Sequence, residues 1–192
     1  MDPEAKYNLD AIETSTFDAT IEAGDELRPG TMWHLECRDK YGNLKWNEDI
    51  HNVVTNEGLD HILNVEFHGT TQITTWYVLL FNTNTTPSGT TTYASPVFTE
   101  STDYDEATRP AYVEAAASSQ SMTNTASKAV FTISTTTSIY GAALVGGGTA
   151  ATTKGDTAGG GTMFCAAKFS SVKNCVDDDT ITVTIVISAA DA

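Results

Sequence analysis

Between Thr74 and Phe81 the chain reads Thr-Thr-Trp-Tyr-Val-Leu-Leu-Phe. In an extended chain successive side chains point to opposite faces, so Trp76, Val78 and Leu80 fall on one side and Tyr77, Leu79 and Phe81 on the other. Both sides are apolar. A strand of this kind needs cover above and below, which places it in the middle of the molecule. The residues C-terminal to it read as further strands able to cover it. Those N-terminal to it read as an acidic lead-in, a hairpin and one helix.

The hairpin spans Met32 to Ile50. Trp33, Leu35 and Cys37 alternate with His34 and Glu36; Lys40-Tyr41-Gly42-Asn43 supplies a turn; Leu44, Trp46, Glu48 and Ile50 alternate on the return. Trp33 and Trp46 are close enough in register for a cross-strand aromatic pair. They read as core anchors, with a partner-facing role as the other reading. Thr55 to Gly69 carries the signature of a helix: Thr55 or Asn56 as cap, Leu59, Ile62, Leu63 and Phe67 on one face, Gly69 as stop.

Asn82 to Thr92, rich in Asn and Thr, reads as an exposed loop, and Pro96 argues against a central strand over 93–100. Asp103 to Val113 starts acidic and then turns into an expected strand, and 115–127 reads as a polar, small-residue linker or loop. Further on, Ala129, Phe131 and Ile133 share a face, Ile139 to Val145 forms a strand, and Met163, Cys165, Ala167 and Phe169 share another face. Ile181, Val183, Ile185 and Ile187 alternate with threonines in the clearest half-buried strand of the chain. Gly146 to Gly161 lacks apolar anchors, so it is expected to be mobile or packed on a partner. Asp177-Asp178-Asp179 reads as a solvated turn.

Turn signals at this spacing, without intervening helices, give a mainly β fold. The expectation is an antiparallel β-sandwich or jelly roll with one short α-helix and an extended N-terminal arm. The arm is residues 1–30; a single domain covers 31–192, with the helix near 56–68. The arm carries eight acids against Lys6 and Arg28, with Tyr7, Leu9, Ile12, Phe17 and Ile21 scattered through it. These five are the candidate partner-binding residues. A flexible tail and an intrachain edge strand are the competing readings of the segment.

Charge excludes more than it assigns. A formal net charge of −15 over 192 residues repels phosphate, so neither nucleic acid nor an anionic membrane is expected as a partner. No apolar run reaches the roughly 18 residues of a membrane span, and the acidic start does not read as a secretion signal.

Three cysteines without a Cys-x-x-Cys pair indicate neither a zinc ribbon nor a redox motif; buried free thiols are expected, with a Cys165–Cys175 bridge conceivable. His61 and His68 lie two turns apart but lack further ligands. Asp103, Asp105 and Glu114 have calcium-loop spacing, yet Thr108 stands where the loop needs Gly. The Gly-rich runs lack a phosphate-cradle ending, and no Gly-x-Ser-x-Gly elbow occurs. Neither a catalytic set nor a metal site nor a cofactor is assigned.

Several segments together are distinctive: Cys37-Arg38-Asp39 with Gly42-Asn43 and Lys45-Trp46; Asn52-Val53-Val54-Thr55-Asn56-Glu57-Gly58-Leu59; Thr75-Trp76-Tyr77-Val78; Tyr104-Asp105-Glu106-Ala107-Thr108-Arg109-Pro110-Ala111-Tyr112; and the closing Asp179-Thr180-Ile181-Thr182-Val183-Thr184. Over residues 30 to 190 the chain resembles small structural proteins of tailed bacteriophages, often associated with virion head genes. The resemblance implies a virion component without enzymatic activity, made in the host cytoplasm. The leading expectation is a capsid cement or decoration protein on the outer surface of the major capsid shell, oligomeric there and bound to the major capsid protein. A neck, tail or fibre component is the alternative, and a carbohydrate-binding sandwich module with exposed tryptophans a further one.

Overall fold

The computed structural model describes residues 27–191, and the five arm residues from Tyr7 to Ile21 therefore lie outside the described part. The first strand, β1 (Leu27–Arg38), starts within the stretch expected as arm. An Asp39–Asn43 turn leads into β2 (Leu44–His51), then β3 (Val53–Val54), helix α1 (Asn56–Phe67) and β4 (Trp76–Phe81). After a long loop come β5 (Ala111–Tyr112), β6 (Ser121–Thr123), β7 (Ala129–Thr132), β8 (Thr137–Gly146), β9 (Thr162–Cys175) and β10 (Thr180–Asp191).

These form two antiparallel sheets, and the mainly β expectation holds. One runs β2-β1-β10, with β6 and β7 both pairing the far edge of β10; the other runs β3-β9-β8-β4-β5. Between β6 and β7 the ladder is completed by a side chain. The buried Asn124 amide donates to the Val183 carbonyl at 3.1 Å and accepts from the Ile185 N–H at 2.7 Å. It occupies the rungs between the Val186–Thr123 and Val183–Ala129 pairs, so β10 has a bonded neighbour along most of both edges.

The sheets face each other across the main core. Trp33, Leu35 and Cys37 from β1 and Ile181, Val183 and Ile185 from β10 meet Val78, Leu80, Leu144, Cys165, Ala167 and Phe169. A second core lies on the outer face of the β4 sheet, where Leu79, Phe81, Val145 and Met163 pack under Tyr93, Phe98 and Ala151 from loops. Both faces of β4 are thus covered as its sequence demands, one by a sheet and the other by loops. The middle strand of that sheet is nevertheless β8, where Gly141-Ala142-Ala143 leave room for their neighbours. A Cβ on Gly141 would fall 2.0 Å from the tip of the Phe81 ring. That ring stacks on Phe98 with centroids 4.3 Å apart.

Several expectations are corrected. Trp33 pairs with Ile50 and Trp46 with Cys37, so the two tryptophans do not meet across the hairpin. Trp33 is fully buried and Trp46 is partly buried against Phe169. Both contribute to the core.

Met163 leaves the face of Cys165, Ala167 and Phe169. A register shift pairs Leu144 with Cys165 but Val145 with Met163, and the extra residue turns Met163 outward into the second core.

On α1 the inward residue is Gly58, with Leu59 and Ile62 beside it, while Leu63 and Phe67 are 56% and 81% exposed. The helix lies so close to β9 that a Cβ on Gly58 would come 2.4 Å from the Phe164 carbonyl oxygen. That contact, and not the apolar stripe, fixes its rotation.

The 82–92 loop is not simply exposed. Pro87 and Thr91 are buried, and the Gly89 carbonyl takes the Asn56 N–H at 2.7 Å. Within the polar stretch 115–127, Ser121–Thr123 is a strand. Asp179 is not solvated; it is 1% exposed and ion-paired with Lys45.

Candidate docking groove

Two buried charged side chains, Arg109 and Glu48, are held by internal partners. Arg109 is 2% exposed and uses all five of its N–H donors. Nε and one terminal nitrogen bind the two Glu100 oxygens at 2.9 and 2.5 Å. The remaining bonds reach the Tyr93 hydroxyl at 3.1 Å and the Ala151 and Asp156 carbonyls at 2.9 Å each. Tyr93 in turn donates to Asp156 Oδ2 at 2.6 Å, and the Gly155 N–H donates to Glu100 at 2.8 Å.

This knot pins the Gly146–Gly161 loop to its own chain. The absence of apolar anchors predicts a loop that is mobile or partner-bound; it is instead held by Ala151 in the second core and by hydrogen bonds from Arg109, which the linear sequence does not connect to it. The cavity beside it, about 210 Å3, is lined by groups already committed to one another. No guanidinium N–H remains to meet a substrate.

Glu48 is the second such group. It is buried on β2, paired with Lys173, and accepts the Ser170 N–H at 2.5 Å. Burial pushes its carboxyl pKa up, but the Lys173 ammonium and the Ser170 N–H outweigh that and hold it below the usual range. Among the described residues, only Cys37, Cys175 and Asp179 bring three His, Cys, Asp or Glu ligand atoms within 4.8 Å of one another. His61 and His68 form no such group, nor do Asp103, Asp105 and Glu114. The three cysteines are free and buried.

The surface feature that is not internally satisfied is apolar. Beside α1, at the end of the sandwich, a groove of about 350 Å3 is lined by Ile62, Val65, Ile73, Trp76, Met122 and Ile187. Local sequence explains each wall. Thr55 caps the helix, its hydroxyl accepting the Gly58 N–H at 3.0 Å and donating to the Met163 carbonyl, which fixes where α1 leaves β9. Gly69, with φ of +70°, turns the chain after the helix. Trp76 forms the floor, in edge contact with Phe164 (5.6 Å) and with His61 (5.5 Å). Burial lowers the His61 pKa, so the imidazole stays neutral at neutral pH and adds no charge.

Leu63 and Phe67, one turn apart on the outer side of α1, add an exposed apolar ridge. The helical periodicity picks out these two side chains and assigns them to the core; the groove itself, assembled from α1, the 72–74 segment and strands of both sheets, has no signature in the linear chain.

Among the described residues no helix is long and apolar enough to cross a membrane. A comparison with models of known protein families finds no match, and no curated protein matches the chain.

Proposed function

We propose that this chain is a structural component of a tailed-bacteriophage virion, a cement or decoration protein that binds the outer face of the major capsid shell. The observation that carries the reading is an apolar docking surface on a domain whose buried Arg109 and Glu48 charges are paired internally. The α1 groove and the Leu63–Phe67 ridge offer apolar area to another protein. The framework resemblance over residues 30 to 190 supplies the virion setting. A net charge of −15 suits a position away from packaged DNA and next to a basic shell surface. Repetition over a shell multiplies contacts that are individually weak.

The test is binding of the purified full-length chain to purified shells lacking it, with cryo-EM of the decorated particles. Wild type is expected to decorate the outer face at a copy number that scales with the shell lattice, and to bind less well as salt is raised. A Leu63→Glu/Phe67→Glu variant should keep its fold, since both side chains are exposed, yet bind about tenfold or more weakly. Unchanged affinity in that variant, or no binding by wild type, overturns the reading. A copy number matching a single vertex would move the chain to the neck or tail.

A further inference from the structure

We propose that Cys37, Cys175 and Asp179 form a buried binding site for one thiophilic divalent cation of the zinc class, which ties the two sheets together. Cys37 lies on β1 in one sheet, Cys175 ends β9 in the other, and Asp179 stands in the turn that leads into β10. Their exposures are 0%, 0% and 1%, and their ligand atoms lie within 4.8 Å of one another.

Two buried polar atoms on Asp179 and Trp46 are left without partners. Asp179 Oδ2 is occupied, pairing with Lys45 and accepting the Val176 N–H at 2.8 Å, but its Oδ1 is buried without a partner. The Trp46 indole N–H is likewise buried without an oxygen or nitrogen acceptor, and it bears on Cys175. An unsatisfied buried carboxylate oxygen costs free energy, and so does an unsatisfied indole donor. One bound cation accounts for both: Oδ1 becomes a ligand, and the indole N–H donates to a metal-bound thiolate.

The charges also balance. Binding releases the two thiol protons to solvent, so two thiolates, one carboxylate, the Lys45 ammonium and a divalent cation sum to zero in a site with little water. Two sulfurs and one oxygen select a borderline-soft ion over calcium or magnesium. Three protein donors leave one position of a tetrahedral ion for a water or a main-chain carbonyl. A disulfide between Cys37 and Cys175 is the rival use of the same pair, but it leaves Asp179 Oδ1 unsatisfied. The site has no sequence signature, because its cysteines lie far apart in the chain and only the pairing of the strands brings them together.

Since the donors are buried, the ion enters as the chain folds. The full-length protein, unfolded in denaturant with chelator and reductant, is refolded with Co2+ and read by absorption. One equivalent should bind, with thiolate-to-cobalt charge transfer and the intense ligand-field bands of a tetrahedral site, and Zn2+ should bleach them. Asp179→Asn, nearly isosteric, should weaken affinity by about tenfold or more, whereas Cys165→Ala should leave the stoichiometry unchanged. Three results each overturn the proposal: no bands in refolded wild type, bands that persist in a Cys37→Ala/Cys175→Ala variant, or a native product two hydrogens lighter with Cys37 and Cys175 linked.

Discussion

Replacing Arg109 by Met tests whether the polar knot organises the loops over the second core. Methionine fills much of the guanidinium's volume but supplies none of its five hydrogen bonds. The Glu100 carboxylate, whose side chain is 7% exposed, would be left without its cation, and the Ala151 and Asp156 carbonyls without their donors. Removing one partner of a buried ion pair costs about 3–5 kcal/mol, and the low exposure of both partners argues against reducing that for solvent screening. For a domain of this size each kcal/mol moves the melting midpoint by about 2–4 °C, so a fall of about 6–20 °C is expected.

Urea unfolding gives the free energy directly, and amide exchange should show residues 147–161 losing protection first. A Glu100→Gln/Arg109→Met double variant should cost less than the two single changes together, because neither charge is then left alone. A loss below about 1 kcal/mol in Arg109→Met, the size of an ordinary exposed ion pair, would refute the account. So would strict additivity in the double variant.

Two further perturbations probe the frame. Gly58→Ala would gain about 1 kcal/mol of helix propensity on an unconstrained helix. Here the added Cβ meets the Phe164 carbonyl oxygen at 2.4 Å, so α1 must shift, and a net loss of about 1–3 kcal/mol is expected in urea unfolding; stabilisation would show that the close approach is not real. The depressed pKa of Glu48 implies stability that is present above the carboxylate's ordinary value of 4.5 and lost as the pH falls through its lower folded value. Unfolding midpoints tracked from neutral pH down through that range should therefore drop more steeply in wild type than in Glu48→Gln, and parallel profiles would count against the Lys173 pairing.

How much of the fold the chain discloses depends on how local each signal is. The alternation of Ile181, Val183 and Ile185 and the two-sided apolar run at Trp76–Phe81 are properties of one strand each, so they can be read directly. The Thr55 cap and the Gly69 stop are equally local. Features that depend on a distant neighbour are not. The inward face of α1 is set by the β9 backbone at Phe164, distant in the chain, so Leu59 and Ile62 of the apolar stripe lie at its edge and Leu63 and Phe67 face outward. Met163 turns outward because of a bulge that only pairing with β8 creates.

The small residues of β8 carry little apolar signal, although their smallness is what admits Phe81. The Gly146–Gly161 loop is ordered by hydrogen bonds from Arg109, and bonds of that kind leave no periodicity. The docking groove is the extreme case, being drawn from α1, a connecting segment and strands of both sheets. Only the helix side of it leaves any trace, in Ile62.

The shared strand β10 has a consequence for assembly in time. Leu27 opposes Asp191, so the pairing that builds half the molecule closes a loop of more than 160 residues. Nothing substitutes for that partner: until residues 180–191 have emerged from the ribosome, β6 and β7 have no edge to join, and Trp33 and Leu35 remain a greasy ribbon with only β2 beside them. Such a topology folds late and slowly, and a nascent chain halted before Thr180 is a sticky intermediate in need of protection.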